Sequence, residues 1–495
     1  MSGQAVKRVV IAGGGTAGWT VAAALAKQLG PLLEIVLVES DQIGTVGVGE
    51  STIPTVLGFH RLLGLDEREF MRATQASFKL GIEFLDWARV GDRYFHSFGQ
   101  VGRSTWMGDF QHMWLHARAQ GFGGALGDYC LELQAAEQGK FVTGEKGPLN
   151  YAYHLDATAY GQFLRAFSEP LGVKRVEGKI SEVRQTPESG FIEALVLESG
   201  QAIEGDLFID CTGFRGLLIE QTLQTGYEDW THWLSTNSAI AVQTEATGPA
   251  RPYTRAIAHH AGWRWQIPLQ HRVGNGLVFC SEFLSDDEAH AMLAERVEGE
   301  MLTEPRLIRF RTGSRRKAWN KNCIAFGLAG GFVEPLESTS IHLIMIGVTR
   351  LMQLFPFGGV SEALAERYNE MSRRELEGIR DFIILHYHLN QREEPFWTGR
   401  REMTVPDSLA ERIALFRDGA RAFQDAHDLF RVDSWVQVML GQRLEPKSWH
   451  RMGALMSDER LKQTLDGLAR GIAGAVESMP AHQRFLDGYC APAAA

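Results

Sequence analysis

Arg8-Val9-Val10-Ile11-Ala12-Gly13-Gly14-Gly15-Thr16-Ala17-Gly18-Trp19 lies near the start of the chain, and its reading decides the fold. Residues 8–12 form a short β-rich apolar run, and the alanine-rich segment 19–29 reads as a helix. A second apolar run, 35–38, ends at Glu39. The order is strand, GxGxxG turn, helix, strand, acid. Gly13 permits a tight turn, Gly15 lets the backbone approach a pyrophosphate, and Gly18 lets the helix pack on the sheet. Thr16 and Ala17 stand at the helix start, where unpaired amides face phosphate. Glu39, about twenty residues further on, can accept ribose hydroxyls. An ordinary βα turn explains a lone glycine triplet. Five features in register point to a bound dinucleotide.

Working outward, a second glycine-rich loop follows at Gly47-Val48-Gly49-Glu50-Ser51-Thr52-Ile53-Pro54. Asp206-Leu207-Phe208-Ile209-Asp210-Cys211-Thr212-Gly213 reads as a buried strand ending in a tight turn. The segment 322–331, which contains Gly327, repeats that pattern and leads into Pro335. Strand-end loops spread over so much chain suit an extended flavin, with segments interrupted by a second domain. FAD is favoured over NAD on that ground. The expected fold is α/β: an FAD-binding Rossmann-like domain over 1–80, 155–235 and 300–360. A substrate-binding part of mixed sheet and C-terminal helices takes 81–154, 236–299 and 361–495. Segments 173–183, 190–198 and 201–209 read as a β-meander, and 257–269 and 276–283 as pieces of a second sheet. Helices are expected at 362–389, 408–417 and 459–477. The glycine-rich stretch 121–127 could serve as a lid or as a surface connection.

Composition bounds the rest. At roughly 150 residues per domain, 495 residues suggest three domain-sized units or two large ones. Glycine supplies 53 of them, about 11% against a usual level of about 7%, without any Gly-X-Y period. The excess implies tight turns and close backbone approaches. A net charge of -10 and a short basic cluster at 311–317 argue against a nucleic-acid partner. Five scattered cysteines lack ligand spacing, so no metal site is expected and the thiols read as reduced. No charge-free apolar run past the first thirty positions reaches 18 residues, so no membrane span is expected. The opening imitates a signal peptide, but its glycine spacing is better explained by the nucleotide turn. The expected setting is cytoplasmic.

Three further features carry the chemistry. In Gly262-Trp263-Arg264-Trp265-Gln266-Ile267-Pro268 the tryptophans sit at i and i+2, so on a strand both rings face one side. A core-packing pair is the plain alternative. In Phe332-Val333-Glu334-Pro335-Leu336-Glu337-Ser338-Thr339-Ser340-Ile341, Pro335 predicts a helix start. Ile341, Ile344, Met345 and Val348 then give that helix a buried face. Its N-terminal dipole could serve a reduced flavin, or the acidic and hydroxyl residues could be simple caps. Lys79 lies among small and apolar neighbours, where a lysine ordinarily snorkels to the surface.

Taken together, these features resemble the flavin-dependent tryptophan halogenases. That family joins GxGxxG to a WxWxIP motif, here Trp263, Trp265, Ile267 and Pro268, and to an early lysine, here Lys79. The Val-Gly-Glu-Ser-Thr-Ile-Pro loop, Tyr153-His154-Leu155-Asp156-Ala157, the segment 332–339 and Phe396-Trp397 also fit. The likeness runs from residue 8 to about 440. WxWxIP separates halogenases from hydroxylating relatives with the same flavin monooxygenase type of fold.

The resemblance implies an enzyme using FADH2, O2 and chloride or bromide, with reduced flavin supplied by a separate flavin reductase. Hypohalous acid passes through an internal tunnel to Lys79 beside a small aromatic substrate. Glu337 matches the glutamate that stabilises the cationic intermediate and helps remove its proton. Gly49, Ser51, Thr52, Ile53, Gly327, Ser338 and Ile341 join the opening glycines in holding FAD. Amides at Thr339 and Ser340 match the halide site; the family's usual glycine is Ser340 here. Trp263, Trp265, Ile267 and Pro268 wall the flavin side from the substrate. His96, Phe98, Phe396 and Trp397 match aromatic walls around an indole. Enzymes acting on free tryptophan hold its head group with a Tyr-Tyr pair and a glutamate before Phe-Trp. This chain has Tyr387-His388 and Glu393-Glu394 there, which favours indole or a small indole derivative. A homodimer is a family expectation. The competing readings are an FAD-dependent aromatic hydroxylase, a halogenase specific for free tryptophan, and a non-catalytic flavoprotein.

Overall fold

The computed structural model describes residues 5–44, 50–144 and 147–491. The chain divides into two compact units. The first comprises Met1–Ala76, Leu155–Asn237 and Arg309–Glu377, and the second Ser77–His154, Ser238–Ile308 and Gly378–Ala495. The largest difference from the expected segments is at the third, which runs to Glu377 rather than 360.

A six-stranded sheet is the centre of the first unit. Its order is Trp319–Asn320, Cys323–Ala325, Leu207–Asp210, Arg8–Ala12, Glu34–Glu39, Lys174–Glu177. All neighbours are parallel except the Trp319–Asn320 edge strand. Strands buried on both faces need unbroken apolar runs, and RVVIA and LFID supply them. The Thr16–Leu29 helix joins the first two sequential strands and buries 18–26. The expected meander is met in part: Ile180–Gln185, Ile192–Leu197 and Ala202–Glu204 form a separate three-stranded antiparallel sheet, while the start of its first segment and the end of its last, Lys174–Glu177 and Leu207–Asp210, are strands of the main sheet. One expectation fails here. Pro335 opens only a 3-10 turn, Pro335–Glu337, and the α-helix begins at Ser340. Ser338 adopts φ 59, a left-handed conformation that interrupts the helical path.

The second unit is built on a mixed sheet. Its order is Arg306–Arg309, Ser238–Glu245, Arg272–Phe279, Gly262–Pro268, Thr254–His259, Gly81–Leu85, Arg93–Ser97. The predicted 257–269 piece is two strands, because the chain reverses where His259 pairs with Gly262. Register places Tyr94, Phe84, Ala256, Trp265, Gly276 and Ala241 in one row across the sheet. A short strand, Ser77–Lys79, pairs with Ala152–Leu155. Helices follow at Pro395–Glu402, Asp407–Gly419, Val432–Gly441, Asp458–Glu477 and His482–Tyr489. The 121–127 stretch is pinned from outside: Trp114 Nε1 donates to the Gly124 carbonyl at 3.3 Å, and Tyr129 Oη to the Gly123 carbonyl at 2.6 Å. No helix among the described residues is long and apolar enough to cross a membrane.

Candidate active site

The glycine turn divides its labour by position. Gly13 has φ 105, and a Cβ there would lie 2.4 Å from the Cys211 carbonyl oxygen. A Cβ on Gly18 would meet the Gly13 carbonyl oxygen at 1.9 Å, so these two glycines are demanded by the fold itself. Gly15 is different: a Cβ there meets nothing within 4 Å. That open space lies at the N-cap of the Thr16–Leu29 helix, which has no acidic residue in its first turn. An anion fits that end. Thr16 Oγ1 donates to the Ala157 carbonyl at 3.1 Å, and Gly327 has φ 59, where an added Cβ would stand 3.1 Å from the Ala17 methyl.

Glu39 ends its strand where the ribose acceptor is expected, and Arg175 Nε donates to it at 2.6 Å. Arg165 lies 3.7 Å away, and Trp19 Nε1 donates to the same carboxylate at 3.4 Å. These two arginines and Trp19 escaped the sequence reading, because they reach Glu39 through sheet register and helix packing. Ser51, Thr52 and Ile53 are buried. Gly49 falls outside the described residues. Burial, with Asp156 nearby, raises the Glu50 carboxyl to about 7.

The turn after Phe332 concentrates polar groups in the interior. Glu337, Ser338 and Thr339 are buried, and so is Ile341. Thr339 Oγ1 has no hydrogen-bond partner among the described residues, although Thr339 is 0% exposed. Thr339 is the N-cap of the Ser340–Gln353 helix but makes no side-chain cap bond. The helix therefore begins with amides that no capping side chain satisfies, beside a buried hydroxyl. That donor set suits a small anion. His342, one turn in, bridges Thr55 Oγ1 at 2.9 Å and Glu375 Oε1 at 2.8 Å.

In the second unit, Lys79 does not snorkel. It is 0% exposed on the Ser77–Lys79 strand, with Nζ 5.0 Å from the centroid of the Phe98 ring. His96 shares a sheet face with Tyr94, two residues away, and therefore with Trp265. Trp263 and Trp265 are buried with ring centroids 6.0 Å apart. Gly276 makes room for the second indole, since a Cβ there would fall 2.0 Å from its Cζ2. Phe396 and Trp397 are placed differently from His96. Trp397 is 0% exposed, stacks on Tyr387 and donates from Nε1 to the His259 carbonyl at 2.7 Å. The ring contacts of His96 are with Phe382 and Phe430 instead.

Against known proteins, the family model for tryptophan halogenase matches residues 8–458. The chain belongs to the tryptophan halogenase family. It is 37% identical over 467 residues to the tryptophan 6-halogenase SttH of Streptomyces toxytricini, covering 88% of this chain and 89% of that one. The solved structure of Xcc4156, a flavin-dependent halogenase from Xanthomonas campestris, matches with a TM-score of 0.97 and 52% identity. It covers 99% of this chain and 100% of its own. BrvH, a flavin-dependent halogenase from Brevundimonas sp. BAL3, matches with a TM-score of 0.94 and 44% identity, over 98% and 99% of the two chains. The protein is thus an enzyme of a family that uses FADH2, halide and O2. Such enzymes generally need a separate flavin reductase and a small aromatic substrate. No cluster of three or more His, Cys, Asp or Glu able to hold a metal occurs among the described residues.

Proposed function

We propose that this halogenase attaches chlorine or bromine to indole or a small indole derivative, with Lys79 directing the halogen. The buried Lys79 carries the reading, because an ammonium wholly removed from water is costly to keep and needs a purpose. Bound FADH2, with O2 and halide, supplies hypohalous acid. Gly13, Gly15, Thr16, Ala17, Gly18, Glu39, Gly49, Ser51, Thr52, Ile53, Gly327, Ser338 and Ile341 are the proposed FAD residues. Thr339 and Ser340 are proposed to hold the halide through the first amides of their helix. Lys79 hydrogen-bonds the oxidant's oxygen or carries the halogen as a haloamine, making the halogen more electrophilic. Glu337 stabilises the cationic ring intermediate and takes its proton. Trp263, Trp265, Ile267 and Pro268 form an inert wall, while His96 and Phe98 stack on the arene.

Two contacts support a substrate without an amino-acid head group. Tyr387 is buried and stacked on Trp397, and Glu394 is hydrogen-bonded by Arg392 Nε at 3.1 Å. Both groups are committed to internal partners. A panel of indole, substituted indoles and free tryptophan, run with a flavin reductase, FAD and either halide, tests the reading. Turnover of the indoles with little or none of tryptophan is expected. Tight, regioselective turnover of tryptophan would sink the substrate assignment.

A further inference from the structure

Lys79 sits at the end of a strand only three residues long, so something must hold that strand in place. Ser77 and Lys79 share one face of it, and register sets His154 directly opposite Ser77 and Ala152 opposite Lys79. Ser77 Oγ donates to the Pro268 carbonyl at 2.5 Å. Its hydrogen is therefore used, and toward His154 Nδ1, 3.1 Å away, the hydroxyl can only accept. Nδ1 must then carry the imidazole proton. His154 Nε2 is left as an acceptor for Thr254 Oγ1 at 2.9 Å. The chain of donors runs from Thr254 to His154, to Ser77, to the carbonyl that closes the WxWxIP segment.

Every member of this chain is buried except Pro268, which is half-buried. The imidazole is neutral, since burial first, and then the Lys79 ammonium, hold it well below the usual histidine range. A neutral imidazole with a fixed tautomer can bridge a donor and an acceptor at once, and it adds no positive charge beside the ammonium.

We propose that His154 is a positioning residue: it locks the Lys79 strand to the tryptophan-wall strand and so sets where the ammonium stands. The inference rests on the reading of Lys79 as the residue that directs the halogen. His154→Leu keeps bulk but breaks both hydrogen bonds, whereas His154→Gln can donate to Ser77 and accept from Thr254. Each variant is assayed with a flavin reductase, FAD, bromide and indole. The readouts are bromoindole formed per O2 consumed, free oxidant captured by a diketone scavenger, FAD Kd and Tm.

His154→Leu is expected to lower product per O2 at least tenfold, with FAD Kd within about twofold of wild type and the missing oxidant found in the scavenger. His154→Gln is expected to keep at least a third of the coupling. Wild-type coupling in His154→Leu, or a loss in both variants that only tracks Tm, overturns the proposal. Should His154→Leu fail to fold, Thr254→Val decides: a two- to fivefold loss of coupling with the same leakage supports the network, and unchanged coupling overturns it. Lys79→Ala runs alongside. If it abolishes bromination while His154→Leu does not, only the present proposal falls. If Lys79→Ala brominates normally, the reading of Lys79 falls and this one with it.

Discussion

A methyl group built on Gly18 would come within 1.9 Å of the Gly13 carbonyl oxygen, whereas one built on Gly15 meets nothing within 4 Å. Both positions belong to one motif, yet substitution separates their roles. Gly15→Ala should leave the Tm of the FAD-free protein within a degree or two, because the site is open and the residue is extended at φ -73. It should weaken FAD at least tenfold, about 1.4 kcal/mol, by obstructing the backbone approach. Gly18→Ala should instead destabilise the FAD-free fold, since the clash is with backbone rather than a flexible side chain. Titrating flavin fluorescence beside a thermal melt checks both. Equal effects of the two substitutions on Tm would contradict the assignment. At the same scale, Thr339→Val is nearly isosteric and removes a buried hydroxyl that has no partner among the described residues. It should preserve or slightly raise Tm while raising the KM for halide, measured by bromide titration.

Among the elements, the last helix has a role that its position in sequence conceals. The family match ends at 458, yet His482, Phe485 and Tyr489 all place rings within 6.1 Å of Phe78, next to Lys79. Phe141 stacks on the same ring at 4.0 Å. Phe78→Ala should therefore cost about 3–5 kcal/mol. A chain ended at Pro480 should lose several degrees in Tm and most of its halogenation; a truncated chain with full activity would show the helix to be dispensable. Elements were legible in sequence where the cause is local. The GxGxxG turn follows from steric demands within six residues, and the shared face of Trp263 and Trp265 from the strand period of two. The helix start was misplaced because nothing local announces a left-handed serine at 338. The Ser77–His154–Thr254 network was invisible for another reason. Its hydrogen-bonded pairs are 77, 100 and 191 residues apart in the chain, and only strand register brings them together.

For the whole molecule, burial of neutral histidines sets the acid limit. His60 and His259 are held near about 3 and His482 near about 4, each chiefly by burial, and His154 is also depressed. Above pH 6.5 both folded and unfolded chains leave these rings neutral. Below it the unfolded chain takes up protons that the folded one refuses, so stability falls as pH drops toward 4. Each such group contributes up to about 1.4 kcal/mol per pH unit in that window. Glu50, raised to about 7, acts in the opposite sense, because below that value the folded state takes up a proton that an unfolded carboxylate does not. Burial also lowers His112 and His388 and raises the Glu132 and Asp433 carboxyls. With six histidines opposed by three carboxyls, the urea midpoint should fall between pH 6.5 and 5; a flat profile would mean those rings are hydrated or charged in the fold. The glycine excess speaks only for the cofactor; the proposed reaction rests on the buried lysine and the paired indoles, and its product is the most direct witness. Mass spectrometry of indole incubated with the protein, a flavin reductase, FAD, O2 and bromide should show a monobrominated indole with its paired isotope peaks. That product should be absent without halide and from Lys79→Ala. A product heavier by one oxygen atom, formed equally well without bromide, would contradict the account.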